Sequence, residues 1–258
     1  MEVILTKNRS EMGKLVAKSA AARLAAAIEN HGSATLVVAT GASQFEVLAE
    51  LVQQSNVYWR KVHGFHLDEY LGLAPNHPAS FCHYLQTRFV ARVPLASFHF
   101  LKGDQPPDVL LRHANAALHD RAIHVALVGI GENGHLAFND PPADFHSHEP
   151  YLIVPLDDLC RQQQVGEGWF PSLAEVPTHA ISMSVRQILK AETIFCSVPD
   201  PQKAIAVRAT LEEPISPLVP ASILRTHENT WLVVDEASAR LLSFETQDWL
   251  RRVDGEML

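Results

Sequence analysis

Residues 123–130, "IHVALVGI", form an apolar run that leads directly into a glycine-rich stretch, residues 131–142, "GENGHLAFNDPP". The run contains β-branched residues and shows no regular polar alternation. This pattern is typical of a strand that is covered on both of its faces. Strands covered in this way belong to parallel sheets with helices packed on either side. The stretch therefore predicts an α/β fold.

Similar apolar runs recur along the chain and alternate with helical patterns. They predict strands at 2–5, 35–39, 62–67, 97–101, 123–130, 151–156, 179–185, 193–198 and 230–235. The helical patterns lie at 10–30, 43–54, 77–90, 107–121, 185–190, 200–211 and 236–244. We expect Ser10 to cap the first helix, and Pro78, after Asn76, to lie in the first turn of the third. The alternation predicts one domain over residues 1–258: a doubly wound, mostly parallel, Rossmann-like sheet with helices on both faces.

The composition favours an ordinary globular protein, with 47% hydrophobic residues, 19% charged residues and a formal net charge of -8. An acidic chain lacks the basic footprint of nucleic-acid binding, although one loop and one cation can still bind a phosphate. No apolar run approaches the roughly 18 residues that span a bilayer, and we recognise no signal peptide. The scattered Cys82, Cys160 and Cys196 fit a reduced protein, so we expect a cytoplasmic location without membrane contact.

The glycine-rich stretch matches G-x-G-x-x-G at residues 129–134, which is the pattern of dinucleotide-binding loops. Such a loop must open into a helix whose N-terminus holds the pyrophosphate. Here Pro141 and Pro142 would stop a helix after about two turns. The alternative interpretation is a sharp turn that brings Asn133, His135 and Asp140 around one pocket, where a histidine and a carboxylate can act as an acid–base pair.

Three other strand ends carry candidate site residues, because ligands of such sheets bind at the carboxyl ends of strands. Thr40, Gly41, Ala42 and Ser43 form a turn that either binds a phosphate or is a plain connection with Ser43 as a helix cap. Asp68 and Glu69 follow a strand and would point to opposite faces, so only one can enter a given pocket. Lys203 lies in the first turn of a helix, where a bound anion would explain it and a solvent-facing lysine is the alternative.

Two histidine groups have spacings that resemble metal-ligand sets. They are His63 with His66, and His146 with His148 and Glu149. His63 and His66 would lie on opposite faces of a strand, and neither group has an evident additional ligand. We therefore predict no metal site.

Taken together, five stretches resemble the glucosamine-6-phosphate deaminase/isomerase family, whose wider superfamily includes the 6-phosphogluconolactonases. They are "ATGAS" (39–43), "FHLDEYLGL" (65–73), "HPASF" (77–81), "GIGENGHLAFNDP" (129–141) and "PDPQKAIAV" (199–207). The resemblance covers nearly the whole chain in order. "LDEY" and "HLAFNDP" are not expected in the lactonase branch, so the deaminase branch is favoured.

The resemblance implies a deaminating aldose–ketose isomerase of amino-sugar metabolism, which converts glucosamine 6-phosphate to fructose 6-phosphate and ammonia. By position, Asp68 would be the base that moves a proton between carbons 2 and 1. His135 would open the sugar ring, with Asn133 and Asp140 beside it. Residues 40–43 and Lys203 would hold the phosphate. The resemblance implies a small sugar phosphate as partner and no cofactor, and it leaves a homo-oligomer open.

Two departures from the family pattern bear on the substrate. Asp140 replaces the usual glutamate, so its carboxylate lies about 1.5 Å nearer the backbone, and we expect a weaker contact with His135. Gly168 or Trp169 stands where the family has a phosphate-binding arginine, and Arg161 is the nearby arginine that could substitute for it. These changes leave two alternatives open: a 6-phosphogluconolactonase-like hydrolase that can dispense with Asp68, and a non-catalytic sugar-phosphate-binding regulator.

Overall fold

The computed structural model describes residues 1–253. The strands are β1 (Glu2–Thr6), β2 (Ala34–Val38), β3 (Val62–His66), β4 (Asp68–Tyr70), β5 (Ser97–His99), β6 (Ile123–Val128), β7 (Tyr151–Pro155), β8 (His179–Met183), β9 (Ala191–Val198), β10 (Thr230–Asp235) and β11 (Arg251–Arg252). The α-helices are α1 (Arg9–His31), α2 (Phe45–Leu51), α3 (Phe81–Leu85), α4 (Pro107–Leu118), α5 (Asp158–Gly166), α6 (Val185–Ile188), α7 (Ala204–Glu212) and α8 (Phe244–Asp248). Short 3-10 segments lie at Ala42–Gln44, Trp59–Lys61, Leu173–Glu175, Pro201–Lys203 and Pro220–Thr226, and a π-helical turn covers Gln86–Val90.

The main sheet has eight strands in the order β11-β1-β10-β9-β6-β2-β3-β5, and every neighbouring pair is parallel. Side chains that alternate along its strands enter two separate apolar cores. On β2, for example, Val37 lies in one core, whereas Leu36 and Val38 lie in the other. One core includes residues of α4 and α7, and the other includes residues of α1 and α2. The predicted α/β fold with helices on both faces is thus confirmed.

Strands β7 and β8 do not join the main sheet. They form an antiparallel three-stranded sheet with β4, in the order β4-β8-β7. The apolar pattern identified β7 and β8 as strands, but it does not show which sheet a strand joins. Leu67 links the two sheets, because its N–H donates to Val38 of the main sheet and its carbonyl accepts from Met183 of β8. Asp68 therefore stands at the junction of the two sheets.

The main sheet reverses its winding between β2 and β6. The chain runs from β2 outward to β3 and β5, and then returns to the other side of β2 to form β6, β9 and β10. The loops after β2 and β6 consequently leave their strands in opposite directions and open a crevice at the carboxyl edge. Crevices of this kind are where doubly wound sheets bind ligands.

Two predicted helix starts were wrong. Asn8, not Ser10, caps α1, since its side chain accepts the N–H of Glu11. The third helix begins at Phe81, after Pro78, because Ser80 caps it. These helix starts depend on which side chain reaches the free N–H groups, and the apolar period does not show that.

The helix predicted at 236–244 is absent over residues 236–243, which form turns and bends, and a helix begins only at Phe244. The Asp235 carboxylate accepts the N–H of Ser238 at 2.8 Å, and the Ser238 hydroxyl donates to the carbonyl of Val198 at 2.6 Å. This local turn competes with helix formation. In contrast, α5 was missed, because it is short and mostly polar, so it lacks the apolar residues that marked the other helices.

Candidate active site

A cavity of about 680 Å³ opens at the crevice between β2 and β6. Loops after four strands of the main sheet contribute to its wall, as does the start of α1 and one side of α5. The cavity is lined by Arg9, Ala39, Thr40, Gly41, Ala42, Ser43, Leu67, Asp68, Phe81, Gly129, Ile130, Gly131, Glu132, His135, Ala137, Phe138, Gln163, Gln164, Gly166, Glu167, Pro199, Asp200, Pro201, Gln202 and Lys203. Thus Thr40, Gly41, Ala42, Ser43, Asp68, His135 and Lys203, which the sequence separates widely, meet at one cavity.

The turn after β2 exposes backbone N–H groups to this cavity. Gly41 has φ 87°, a left-handed conformation that glycine adopts without strain, and residues 42–44 then form a single 3-10 turn. Among the described residues, no group accepts the N–H groups of residues 40–43. Ser43 is not a helix cap, because α2 begins after Gln44 without a side-chain cap. The turn therefore offers unpaired donors suited to an anion.

Asp68 and Glu69 are neighbours with different surroundings. Glu69 is fully buried and accepts hydrogen bonds from the hydroxyl of Ser80 and from the N–H groups of Tyr70, Phe81 and Cys82. The carboxylate of Asp68 receives no hydrogen bond from the described residues, and Asp68 lines the cavity. Burial, and next the nearby Glu69 carboxylate, raise the pKa of Asp68 to about 8. Glu69 therefore anchors α3, while Asp68 is a carboxyl group that can exchange a proton with a ligand.

The glycine loop is a tight turn and not a dinucleotide loop. Gly131 and His135 pair through a backbone hydrogen bond of 3.0 Å, and Gly134 has φ 84°. No helix follows within residues 131–157; α5 begins only at Asp158. A Cβ atom on Gly131 would collide with the imidazole ring of His135, and one on Gly129 would lie 2.8 Å from the Ser43 hydroxyl. The glycines thus permit close approach of side chains to the loop.

Replacing Gly131 with alanine is expected to displace the His135 ring and to lower turnover at least tenfold. The added methyl group would overlap the ring, whereas the backbone of Gly131 does not need a positive φ. Turnover should therefore fall more than stability does. Turnover assays together with thermal unfolding would test this. An alanine variant with unchanged turnover would show that the imidazole does not need this position.

His135 belongs to a polar network that fixes the loop. Its ring Nδ1 lies 3.0 Å from Oδ1 of Asp140, close enough for charge pairing, although the two atoms are not aligned as a full hydrogen bond. The backbone N–H of His135 donates to Asn133, whose amide nitrogen donates to both Asp140 and Asp157, each at 2.9 Å. An aspartate in place of Asn133 would bring three carboxylates together, which explains the amide in this chain.

The shorter side chain of Asp140 still brings its Oδ1 to 3.0 Å from Nδ1 of His135, but without the alignment of a hydrogen bond, so a weaker contact than a glutamate would make stays a prediction. Burial alone would raise the pKa of Asp140, but the close imidazole of His135, with smaller contributions from the hydrogen bonds of Asn133 and the N–H of Asp157, holds that pKa below its ordinary value. Asp140 is therefore ionised near neutral pH. An ionised carboxylate beside Nδ1 orients the imidazole and favours a proton on that nitrogen, leaving Nε2 to accept one.

Lys203 provides a cation in the wall of the cavity. Only 11% of its side chain is exposed, and its ammonium nitrogen lies 3.9 Å from Oε1 of Glu167. Burial lowers the pKa of Lys203, and nearby carboxylates, led by Glu167, oppose that shift. The lysine thus faces the cavity and not solvent.

Arg161 is not part of the cavity wall. Its guanidinium donates to the carbonyls of Leu173 and Val176 and to the carboxylate of Asp158, which ties the segment after α5 to that helix. The arginine that does line the cavity is Arg9.

Arg9 was missed by the sequence analysis. It follows β1, which is a parallel strand of the same sheet, so the rule that identified the other strand ends would also have identified this one. Its guanidinium donates to the carbonyl of Ala42 at 2.6 Å and pairs with the carboxylates of Glu46 and Asp200, each at 3.0 Å. Arg9 thereby links the loops after β2 and β9.

Helix α5 supplies further residues that the sequence did not suggest. Gln163, Gln164, Gly166 and Glu167 line the cavity, and Asp157 caps the helix while it accepts from Asn133. These contacts join α5 to the glycine loop. No pattern in the sequence marks them, because they depend on how α5 lies across the cavity.

Three groups of histidine, cysteine and acidic side chains within residues 1–253 are close enough to share an ion: His31 with His124 and Glu192, His66 with Glu69 and Cys82, and His135 with Asp140 and Cys160. His124 accepts the N–H of Thr35 on Nδ1, so its neutral ring carries a proton on Nε2 and has no free lone pair. Glu69 already accepts four hydrogen bonds. Burial raises the pKa of the Cys160 thiol, which opposes metal binding by a thiolate. The donor chemistry of each group thus disfavours a metal.

A carboxyl group with a raised pKa, a histidine oriented by a carboxylate and an anion-binding turn meet at the switch point of a parallel α/β sheet. This combination is suited to binding a small anionic molecule and to moving protons on it. The sequence profile of the family described as "Glucosamine-6-phosphate isomerases/6-phosphogluconolactonase" matches residues 7–233. The chain belongs to this family.

Individual relatives agree with the family match. A glucosamine-6-phosphate deaminase of Lactobacillus delbrueckii subsp. bulgaricus is 33% identical over 244 residues, covering 94% of this chain and all of the relative. A glucosamine-6-phosphate deaminase of Clostridium acetobutylicum is 30% identical over 249 residues, covering 94% and 100%. The structure of a monomeric glucosamine-6-phosphate deaminase superposes with a TM-score of 0.84 at 28% identity, covering 93% and 100% of the two chains.

A 6-phosphogluconolactonase-like protein of Neisseria gonorrhoeae shares the fold alone, with a TM-score of 0.72 at 18% identity. The family match and the deaminase relatives confirm the resemblance to the deaminase/isomerase family that the motifs indicated.

Among the described helices, none combines the length and the hydropathy that crossing a lipid bilayer requires.

Proposed function

We propose that the chain is a glucosamine-6-phosphate deaminase, which converts glucosamine 6-phosphate and water to fructose 6-phosphate and ammonia. The observation that carries this proposal is Asp68: a cavity-facing carboxyl group with no hydrogen-bond donor among the described residues and a pKa raised to about 8. Proton transfer between two carbons needs a base that is also a competent acid near neutral pH. Relatives named as deaminases at 30–33% identity support the substrate.

The first step in this proposal is ring opening. Nε2 of His135 takes the proton from the anomeric hydroxyl and returns it to the ring oxygen, so the bond between carbon 1 and the ring oxygen breaks and an aldehyde forms. The Asp140 carboxylate at 3.0 Å stabilises the transient imidazolium. Asn133 positions both groups through its hydrogen bonds.

Proton transfer follows. The Asp68 carboxylate removes the proton from carbon 2 of the open sugar. The ammonium group on carbon 2 gives one of its protons to the aldehyde oxygen, so a neutral enolamine forms. Asp68 then returns its proton to carbon 1 on the same side, leaving an imine at carbon 2. Water adds to that imine and ammonia leaves, which gives the ketose. Each step uses groups of the chain, the sugar and water.

The phosphate of the sugar would bind between the turn after β2 and Lys203. The unpaired N–H groups of residues 40–43, the hydroxyls of Thr40 and Ser43, and Lys203 are the donors there. Arg161 is bonded to backbone carbonyls away from the cavity, so we assign it no contact with the substrate. The sequence left open whether the chain forms a homo-oligomer, and that question stays open.

Ammonia release from purified protein with glucosamine 6-phosphate, in the presence of a chelator, tests the proposal. We expect stoichiometric fructose 6-phosphate and ammonia. The galactosamine epimer and 6-phosphogluconolactone serve as matched substrates. Hydrolysis of the lactone without ammonia release from either amino sugar would replace the proposal with the lactonase activity.

A further inference from the structure

Lys203 and Glu167 form an ion pair inside the cavity, at the end where we assign the phosphate. Lys203 is largely buried, and within residues 1–253 the Glu167 carboxylate is the one carboxylate within 4.0 Å of its ammonium nitrogen. Other carboxylates of the wall lie farther from that nitrogen. An anion that binds Lys203 must therefore approach Glu167 as well.

The Glu167 carboxylate is held in place from both sides. Its Oε1 accepts from the Gln163 amide at 2.6 Å, and its Oε2 accepts from the indole N–H of Trp169 at 3.0 Å. The Trp169 ring in turn contacts the rings of Phe45 and Tyr84. Both donors belong to the α5 segment, so this segment carries a fixed negative charge to the lysine.

We propose that Glu167 is an internal competitor for Lys203, which the phosphate group of the substrate must displace. The inference rests on the proposed function, because that function assigns the phosphate to this end of the cavity. With the cavity empty, Glu167 balances the charge of the buried ammonium. When a phosphate arrives, the carboxylate and the phosphate compete for the same cation and repel each other.

Glu167 is positioned so that it can leave. It follows the last residue of α5 and stands between Gly166 and Gly168, and a Cβ atom on either glycine would meet no atom within 4 Å. One-fifth of its side chain is exposed, so the released carboxylate can enter water. The two hydrogen bonds and the ion pair are the interactions lost on release.

This competition selects for strongly anionic ligands. A phosphate dianion brings more charge and more acceptor oxygens than one carboxylate, so it can displace Glu167. A neutral sugar or a monoanion offers Lys203 no more than Glu167 already does. Glu167 thus discriminates against sugars that lack a dianionic group, at the expense of affinity for those that have one.

Binding of inorganic phosphate, measured by calorimetry at pH 7.5, tests the inference without turnover. We expect Glu167→Gln to bind phosphate about tenfold more tightly than the wild type, which corresponds to about 1.4 kcal/mol. Glu175→Gln is the matched control, because it removes the same charge from an exposed position beyond α5. It should bind as the wild type does. In the double variant Glu167→Gln with Lys203→Gln, the gain should disappear.

Three outcomes would overturn the inference: affinities of the wild type and Glu167→Gln within twofold, a gain that persists without Lys203, or no phosphate binding by either protein. Glu167→Asp keeps the charge but withdraws it by about 1.5 Å. Glu167→Asp should bind phosphate with an affinity between those of the wild type and Glu167→Gln. Its phosphate affinity also tests the inference if Glu167→Gln does not fold.

The ammonia assay separates this inference from the proposed function. Tighter phosphate binding by Glu167→Gln, without ammonia release from any variant, would refute the proposed deaminase function. It would still support the proposal that Glu167 competes with phosphate for Lys203. Ammonia release, with equal phosphate affinities of the wild type and Glu167→Gln, would support the deaminase function and refute the competition by Glu167. If both hold, Glu167→Gln should lower KM for glucosamine 6-phosphate more than it changes kcat.

Discussion

Replacing Asp68 with asparagine is expected to lower kcat about a thousandfold while it stabilises the folded chain at neutral pH. A positioned acid–base group typically contributes 10²- to 10⁴-fold to a rate, and asparagine cannot accept a proton from carbon 2. Asparagine is close to aspartic acid in shape, so the cavity should keep its form. The measurement is ammonia release, with Asp104→Asn as the control that removes an exposed carboxylate.

The stability effect follows from the raised pKa. The carboxyl group of Asp68 has an ordinary pKa of 3.8 in the unfolded chain and a pKa of about 8 in the folded chain. Between these values the unfolded chain releases the proton and the folded chain keeps it. The free energy of unfolding is therefore largest near pH 4 with respect to this group, and it falls as pH rises towards 8. Asparagine does not ionise, so the stability advantage of Asp68→Asn should grow over this window and level off above pH 8.

Urea unfolding at pH 5 and pH 8 would measure that advantage directly. Asp104→Asn should show no such growth, because its carboxylate is exposed in the folded chain. The same pKa predicts that kcat/KM of the wild type rises with pH until about 8, since only the carboxylate form of Asp68 is a base. Activity of Asp68→Asn within tenfold of the wild type, or equal advantages at both pH values, would contradict the assignment.

Replacing His135 with glutamine is expected to lower kcat by about a hundredfold or more. Glutamine can fill the space and form hydrogen bonds, but it cannot move a proton between the anomeric hydroxyl and the ring oxygen. Ring opening would then limit the rate. His113→Gln is the control, because His113 is exposed on α4.

An isotope effect distinguishes this role from a structural one. Glucosamine 6-phosphate with deuterium on carbon 2 should react more slowly than the ordinary substrate in a protein where the transfer to Asp68 limits the rate. In His135→Gln the difference should shrink, because a step before that transfer has become the slowest. A lower kcat with an unchanged isotope effect would mean that His135 supports the Asp68 step or the fold and does not open the ring.

Much of the fold was predictable because its determinants are local. Buried strands such as β6 carry continuous apolar runs, and all nine predicted strands occur in the structure at nearly the expected positions. The helix predicted at 236–244 was wrong because the Asp235–Ser238 turn depends on a contact with Val198, far away in the chain. The separate sheet of β4, β7 and β8 was unforeseen, because a short strand does not reveal its partner.

The candidate site divides in the same way. The sequence by itself indicated which strand ends meet, because parallel strands bring their carboxyl ends to one edge: the turn at 40–43, Asp68, His135 and Lys203 were named as candidates, and all line the cavity. For the two adjacent acids, the residues alone showed only that they point to opposite faces, and the family resemblance favoured Asp68. The tertiary structure gives the physical reason, since four hydrogen bonds hold Glu69 in the core while Asp68 lines the cavity. It also brought Arg9 and Glu167 to the cavity. Charges that meet across distant segments leave no local pattern, so their pairing depends on the packing of α1 and α5.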